Sequence, residues 1–121
     1  MVLKRIGHRL TVCKVPDGSG IKADDDFYFI GKTDEELSLV CKTESTQENA
    51  LERDDGWRCF RIQGVLDFSM IGILSRLTGI LAENGIGVFA VSTYNTDYIL
   101  VKEENYERAF AVLASEGYTV E

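Results

Sequence analysis

The stretch Val65-Leu66-Asp67-Phe68-Ser69-Met70-Ile71-Gly72 joins a strand-like run to a helix-like run. The run before it covers 59–64, and the run after it covers 70–83. Apolar residues of the second run recur at spacings of three and four, which predicts an amphipathic helix. The first amides of a helix have no intrahelical partner and lie at its positive end, so this turn is a predicted site for a carboxylate or phosphate.

The second half of the chain has a complete pattern of strands and helices around this turn. In chain order we predict strands over 57–63, 86–92, 98–101 and 118–120, with helices over 70–83 and 103–116. Asp67 or Ser69 is the expected N-cap of the first helix. The second helix has Tyr106, Ala109, Phe110 and Leu113 on one face. The order predicts an α+β, ferredoxin-like βαββαβ domain, with two helices on one face of a four-stranded antiparallel sheet.

The first half has strands but little helix. Strands are predicted over 10–15, 27–30 and 37–42, and the last two form a hairpin. Only a short helix around 21–26 fits between the first two strands, and 43–56 is predicted as a polar connecting loop with a helical turn. We therefore divide the chain into a degenerate half-domain, residues 1–56, and a complete domain, residues 57–121.

Composition limits the classes of partner. The 121 residues carry a formal net charge of −7, which argues against nucleic-acid binding. No apolar run is long enough to span a membrane, and charges near the N-terminus interrupt any signal peptide, so we expect a cytoplasmic protein. The acidic runs at 24–26 and 34–36 lack the spacing of a calcium loop, and we predict solvated loops without a metal.

Cysteine and histidine residues do not suggest catalysis. Cys13, Cys41 and Cys59 form no C-x-x-C pair, and the strand-like surroundings of Cys13 and Cys41 predict buried free thiols. His8 is the only histidine, and no triad motif surrounds it. We predict no catalytic residue, no metal and no cofactor.

Residues within 66–74, 77–86 and 92–101 carry a resemblance to a known family. Through these residues the second half resembles an ACT domain, the small-molecule-binding regulatory module of amino-acid metabolism. Residues 92–101, Ser-Thr-Tyr-Asn-Thr-Asp-Tyr-Ile-Leu-Val, are similar to the Ser-Thr-x-x-Thr-Asp-x-x-Leu-Val signature of a bacterial subfamily of small tandem ACT proteins. That subfamily also resembles the ACT pairs of the cytosolic arginine sensors of animal cells. The turn differs from the common Asp-x-Pro-Gly because it has no proline.

The resemblance implies a noncatalytic sensor that binds a small amino acid or related metabolite and regulates an unidentified partner protein. The exposed strand edges of the predicted sheet favour a homodimer. Its pocket would lie between the strand-to-helix turn and the neighbouring strand. The expected ligand-binding residues are Val65, Leu66, Asp67, Phe68, Ser69, Ile71, Gly72, Ser92, Thr93, Asn95, Thr96 and Asp97.

The residue types fit these roles. Amides near 69–72 would hold an α-carboxylate, while Asp97, or Asp67, would pair with an ammonium group. Two simpler interpretations stay open: Asp67 as a helix cap, and Asn95-Thr96-Asp97 as a hairpin turn.

Two other functions compete with the sensor. The first is a structural or protein-interaction module without a ligand pocket, because exposed strand edges favour pairing between subunits. The second is an enzyme, because Gln63-Gly64-Val65 followed by Phe68 is similar to the Gln-Gly-Val-x-Phe-Arg loop of acylphosphatase. Here the spacing is one residue longer, and Ser69 stands where an arginine would stabilise the transition state. We therefore predict that the chain is not an enzyme.

Overall fold

The computed structural model describes residues 1–64 and 71–121, and it divides them into two compact units. The helical unit consists of Met1–Gly7 and Arg58–Glu121, and the strand unit is His8–Trp57. Strand β1 (Val2–Lys14) and strand β4 (Glu52–Ile62) each contribute residues to both units.

The helical unit has the ferredoxin-like α+β fold that the sequence predicts. Its other elements are α1 (Ile73–Glu83), β5 (Phe89–Ser92), β6 (Asp97–Lys102), a 3-10 turn (Glu103–Asn105), α2 (Tyr106–Ser115) and β7 (Thr119–Val120). The strand order is β7-β1-β4-β6-β5. Strands β5 and β6 are antiparallel, whereas β1 and β7 are parallel, with Val2 opposite Thr119. The N-terminal part of β1 therefore adds a fifth strand to the predicted four.

This additional strand follows from residues that the sequence analysis left outside any element. The first strand was predicted to begin at Leu10, but it begins at Val2. Leu3 and Ile6 are both buried although they are three positions apart, and Lys4 and Arg5 between them are exposed. The alternation of a half-buried strand is therefore broken, and pairing with β7 and β4 determines the conformation instead.

The core of the helical unit lies between its sheet and its two helices. Phe110 packs against Phe60, with ring centroids 5.1 Å apart, and against Tyr106, at 4.8 Å. The predicted apolar face of α2 is confirmed, because Tyr106, Ala109, Phe110 and Leu113 are all buried. From α1, Leu77 and Leu81 are fully buried in the same core.

The strand unit has the order β2-β3-β1-β4, where β2 is Tyr28–Lys32 and β3 is Leu37–Lys42. The predicted hairpin is confirmed, with Tyr28 opposite Cys41. The predicted helix around 21–26 is wrong, since this segment forms only a turn in which the Asp25 amide donates to the Lys22 carbonyl. A 3-10 turn (Thr43–Ser45) supplies the expected helical turn after β3, but β4 begins at Glu52 rather than at Trp57.

The three cysteines are buried free thiols. Cys13 and Cys41 belong to the small apolar cluster of the strand unit, together with Val15 and Leu39. Burial raises the pKa of Cys13 to about 11 and that of Cys59, in the helical unit, to about 12. Cys13 and Cys59 are therefore neutral at physiological pH, and burial does not produce a reactive thiolate at either position.

Candidate functional site

Helix α1 begins after a glycine in the left-handed conformation. Its N-cap is Gly72, with φ 82° and ψ 2°, a residue without a side chain that could cap the helix. The helix starts later than the apolar pattern predicts, and the expected caps Asp67 and Ser69 lie outside the described residues. A left-handed N-cap is readily adopted only by glycine. Five of the predicted ligand-binding residues lie outside the described residues: Val65, Leu66, Asp67, Phe68 and Ser69.

The first turn of α1 opens onto a cleft of about 210 Å³. The Arg76 amide donates to the Gly72 carbonyl at 2.9 Å, so the amides of residues 73–75 precede the first helical hydrogen bond. Ile71, which was predicted to contact the ligand, is 95% exposed. The described lining of the cleft is Met1, Ile71, Gly72, Ile73, Arg76 and Tyr118.

Arg76 gives this cleft a fixed positive charge. Its guanidinium donates to the Tyr118 hydroxyl at 3.2 Å and to the Glu116 carbonyl at 3.3 Å. It also lies over the Tyr118 ring, 5.4 Å from the centroid. A guanidinium has five N–H donors, so these contacts orient Arg76 without using all of them. The sequence analysis did not select Arg76, since its partners are far away in the chain.

The hairpin loop between β5 and β6 holds most of the second group of predicted residues. The Thr93 amide donates to the Thr96 carbonyl at 2.8 Å, and the Thr93 hydroxyl accepts from the Thr96 amide at 3.4 Å. Below the loop, the Ser92 hydroxyl donates to the Asp97 carboxylate at 2.6 Å. Ser92, Thr93 and Asn95 are exposed, and Asp97 is half-buried. Polar atoms at the loop are therefore accessible to a small molecule.

Thr96 attaches this loop to the end of β4. Its buried hydroxyl donates to the Ile62 carbonyl at 2.7 Å. Ile62 is the last residue of β4, after which the chain continues towards residues 65–70. Ser92, Thr93, Thr96 and Asp97 are thus brought to one loop beside the end of β4. Ile71 and Gly72 line the cleft at the start of α1, and the hydrogen bond between Thr96 and Ile62 does not involve them.

Arg61 and Tyr98 form a further polar pair near this loop, on β4 and β6. The Arg61 guanidinium donates to the Tyr98 hydroxyl at 3.4 Å and to the Gln63 side-chain oxygen at 3.0 Å. Sequence reasoning missed this pair because it depends on which strands are neighbours. The order β4-β6 would have suggested it, since residues of adjacent strands that share a face make contact.

Comparisons with known proteins define the class. The family model described as an ACT domain matches residues 52–115, and the chain belongs to the ACT domain family. ACT domains are regulatory, noncatalytic modules. No curated protein sequence matches the chain significantly.

Three solved structures illustrate the likeness. Protein Atu0741 from Agobacterium tumefaciens is 31% identical, with a TM-score of 0.82 over 99% of this chain and 91% of its own. VC0802 from Vibrio cholerae, described as a protein of unknown function and possible transport protein, is 20% identical, with a TM-score of 0.76 over 92% of this chain and 85% of its own. The ligand-free regulatory subunit of aspartate kinase from Thermus thermophilus is 13% identical, with a TM-score of 0.65 over 93% and 95%. The latter two show the fold alone.

Other features of the described ranges concern membranes and metals. In residues 1–64 and 71–121 no helix is long and apolar enough to cross a membrane. The same ranges hold no group of three or more His, Cys, Asp or Glu side chains placed to hold a metal ion.

Proposed function

We propose that this chain is a noncatalytic regulatory module that binds an amino acid or a related small metabolite. The observation that carries the proposal is the hydrogen bond from Thr96 to the Ile62 carbonyl. It holds the polar β5–β6 loop beside the end of β4, and β4 leads into the turn with the expected carboxylate site. Membership of a regulatory, noncatalytic family supports the same function.

The ligand would be held by groups of opposite character. Amides at the start of α1 favour an α-carboxylate, because they lie at the positive end of the helix and lack helical partners. Asp97 favours the α-ammonium group or a cationic side chain. In the proposed site, Val65, Leu66, Asp67, Phe68, Ser69, Ile71 and Gly72 form the turn side, and Ser92, Thr93, Asn95, Thr96 and Asp97 form the loop side.

The proposal is tested by a thermal-shift screen of the twenty amino acids at millimolar concentration. A ligand at about 100 times its dissociation constant stabilises by roughly 2.7 kcal/mol, which raises the melting temperature by several degrees. We expect a selective shift that the substitution Asp97→Ala removes. Asp24→Ala, which removes an equal charge from an exposed loop position, is the matched control and should keep the shift.

A screen in which none of the twenty compounds moves the melting temperature would argue against the sensor. The structural or protein-interaction module would then be the better interpretation. The next experiment in that case would be a pull-down of binding partners from cell extract.

We also propose that the first half, residues 1–56, is a degenerate ACT-like copy of residues 57–121. Supporting observations are the strand order of the strand unit and the position of its hairpin, sixty residues before the β5–β6 hairpin. This arrangement agrees with the predicted likeness to small tandem ACT proteins and to the arginine sensors. If the copies arose by duplication, homologues should include chains with helices in place of residues 15–27 and 46–51, and families without any such intermediate would count against it.

A homodimer and a cytoplasmic location complete the proposal. Strand β5 is at the edge of its sheet and carries the exposed Phe89, a surface suited to pairing between copies. Free cysteines suit a reducing compartment. Light scattering at micromolar concentration should give twice the mass of the chain, and a monomer mass would reject the dimer. The regulated partner protein would recognise the ligand-dependent state.

A further inference from the structure

The strand unit contains a large open cleft where β1 ends. Its volume is about 500 Å³, and it is lined by residues 14–18, residues 32–37 and Leu51. Residues 14–18 are the end of β1 and the loop after it, and residues 32–37 form the loop of the β2–β3 hairpin. A cleft of this size is sufficient for a small metabolite.

Backbone hydrogen bonds fix the walls of this cleft. The Val15 amide donates to the Leu37 carbonyl at 3.0 Å, and the Leu51 amide donates to the Lys14 carbonyl at 2.7 Å. The hairpin loop is closed by the Thr33 amide, which donates to the Glu36 carbonyl at 2.9 Å. A cleft whose backbone is already ordered loses little conformational entropy when a ligand binds.

Charges of both signs line the cleft. Lys14 and Lys32 extend from the ends of two strands, and Asp34 and Glu35 lie on the loop between β2 and β3. Asp17 adds a carboxylate that accepts hydrogen bonds from the amide and hydroxyl of Ser19. These bonds lower the pKa of Asp17, so it is anionic at neutral pH. Both ends of a zwitterion therefore find an opposite charge.

The cleft also has an apolar lining residue and a negative net charge. Leu51 is 57% exposed and lines the cleft, where it can contact an aliphatic side chain. Carboxylates outnumber lysines among the lining residues, since Glu36 lines the cleft as well. A ligand with an acidic side chain is therefore disfavoured relative to one with a neutral or basic side chain.

We infer that this cleft is a second ligand site, which binds a small zwitterionic amino acid with a neutral or basic side chain. It occupies the place in the strand unit that the β5–β6 loop and the end of β4 occupy in the helical unit. The kind of ligand rests partly on the proposed function, whereas the described lining of the cleft includes none of residues 71–72 and 92–97. The chain would thus hold one ligand in each unit.

Residue-resolved NMR on the full chain tests this inference. L-lysine, L-alanine and L-glutamate are titrated separately to about 10 mM, which detects dissociation constants in the millimolar range. We expect L-lysine and L-alanine to shift the amide signals of residues 14, 15, 17, 18 and 32–37 saturably; Pro16 has no amide proton. L-glutamate should bind about two- to fivefold more weakly than L-lysine.

A charge reversal identifies the site. Lys32→Glu should abolish the shifts at residues 14–18 and 32–37, because it replaces a cation of the cleft with a fifth carboxylate. Lys22→Glu is the matched control, since this exposed lysine belongs to the same unit but does not line the cleft. In this variant the ligand-induced shifts at the cleft residues should persist.

The two proposals fail in different ways. No saturable shift at residues 14–18 and 32–37 with any probe would overturn the second site, whatever happens at residues 92–97. Shifts confined to the cleft of the strand unit would support the second site and contradict the ligand site proposed in the helical unit. Equal affinity for L-glutamate and L-lysine would overturn the assigned class of ligand.

Discussion

The β2–β3 hairpin of the strand unit and the β5–β6 hairpin of the helical unit share one plan, but only the second leads into a helix. Thr33 and Thr93 close the two loops with the same kind of amide-to-carbonyl bond, 2.9 Å and 2.8 Å long. Strands β3 and β6 have the same sequence of half-buried and buried positions. Each strand is followed by a 3-10 turn.

The paths diverge at one residue after that turn. Tyr106 is helical, with φ −61° and ψ −53°, whereas Thr46 is extended, with φ −66° and ψ 128°. The segment from Tyr106 supplies an apolar helical face that can be buried, and the polar segment after Thr46 supplies none. The hairpin is therefore specified by its local sequence, whereas the helix that follows it in the chain forms only where the segment has an apolar face that can be buried.

The largest expected effect on stability comes from removing a side chain of helix α2, because only the helical unit has helices packed on its sheet. Phe110→Ala should lower the free energy of unfolding by about 3–5 kcal/mol, because it empties a buried site between Phe60 and Tyr106. Urea unfolding followed by circular dichroism measures the change. Ala111→Ser, at the next and exposed position of α2, is the control and should cost under about 1 kcal/mol. A loss for Phe110→Ala as small as that of the control would mean that α2 contributes little to the core.

The next effect concerns position 96 and its equivalent, position 36. Thr96→Val removes the hydroxyl that donates to the Ile62 carbonyl and leaves this buried acceptor without that hydrogen bond. We therefore expect the free energy of unfolding to fall by about 1–3 kcal/mol. Glu36→Ala changes an exposed side chain and should cost no more than about 0.5 kcal/mol. Melting temperatures of the two variants compare them directly. Similar losses would show that the Thr96 bond does not anchor the loop.

A smaller effect tests the shared part of the plan. Thr33→Val and Thr93→Val each remove a hydroxyl that accepts loop amides, and each should cost about 0.5–1.5 kcal/mol. Because the loops are built alike, we expect the two losses to agree within about 0.5 kcal/mol. Denaturant midpoints provide the measurement. A large difference would reveal that the loops depend on what surrounds them.

The smallest effect is on pH dependence. The hydrogen bond from Arg5 lowers the pKa of Glu107 in the helical unit, and that from Lys42 lowers the pKa of Asp26 in the strand unit. A carboxyl with a lowered folded-state pKa stabilises the protein above its ordinary pKa, and this contribution is lost as the pH falls. We expect Glu107→Gln and Asp26→Asn each to flatten the stability curve slightly between about pH 5 and pH 2.

Urea midpoints across that range measure the slopes, and Glu83→Gln is the control because it removes an exposed carboxylate at the end of α1. A steeper slope in either variant would contradict the assigned direction.

Local patterns in the sequence predicted a large part of the fold. The bounds of β3 and the buried face of α2 match the prediction because both depend on periodic apolar residues. The start of β1 could not be predicted, since Leu3 and Ile6 do not alternate and their conformation depends on β7 at the other end of the chain. The later start of α1 follows from the left-handed Gly72, which a helical apolar pattern does not reveal.

The candidate site was predictable only in part. Ser92 and Asp97 were selected from their sequence, and the structure pairs them across the hairpin. The bond between Thr96 and Ile62 joins residues 34 positions apart, and Arg76 meets Tyr118 at a separation of 42. Contacts at such separations depend on strand order and helix placement, which residue spacing does not determine.

Strand β1 has a consequence for any attempt to dissect the chain. A fragment limited to residues 52–115, the segment that matches the ACT family, would lack Leu3, which is fully buried in the core of the helical unit. Extending the fragment to Glu121 would restore β7 but not Val2 and Leu3, the residues with which Thr119 and Val120 pair. A fragment of the second half alone is therefore not expected to fold autonomously, because the helical unit also needs residues 1–7. Residues 1–7 supplied as a separate peptide should restore such a fragment by complementation.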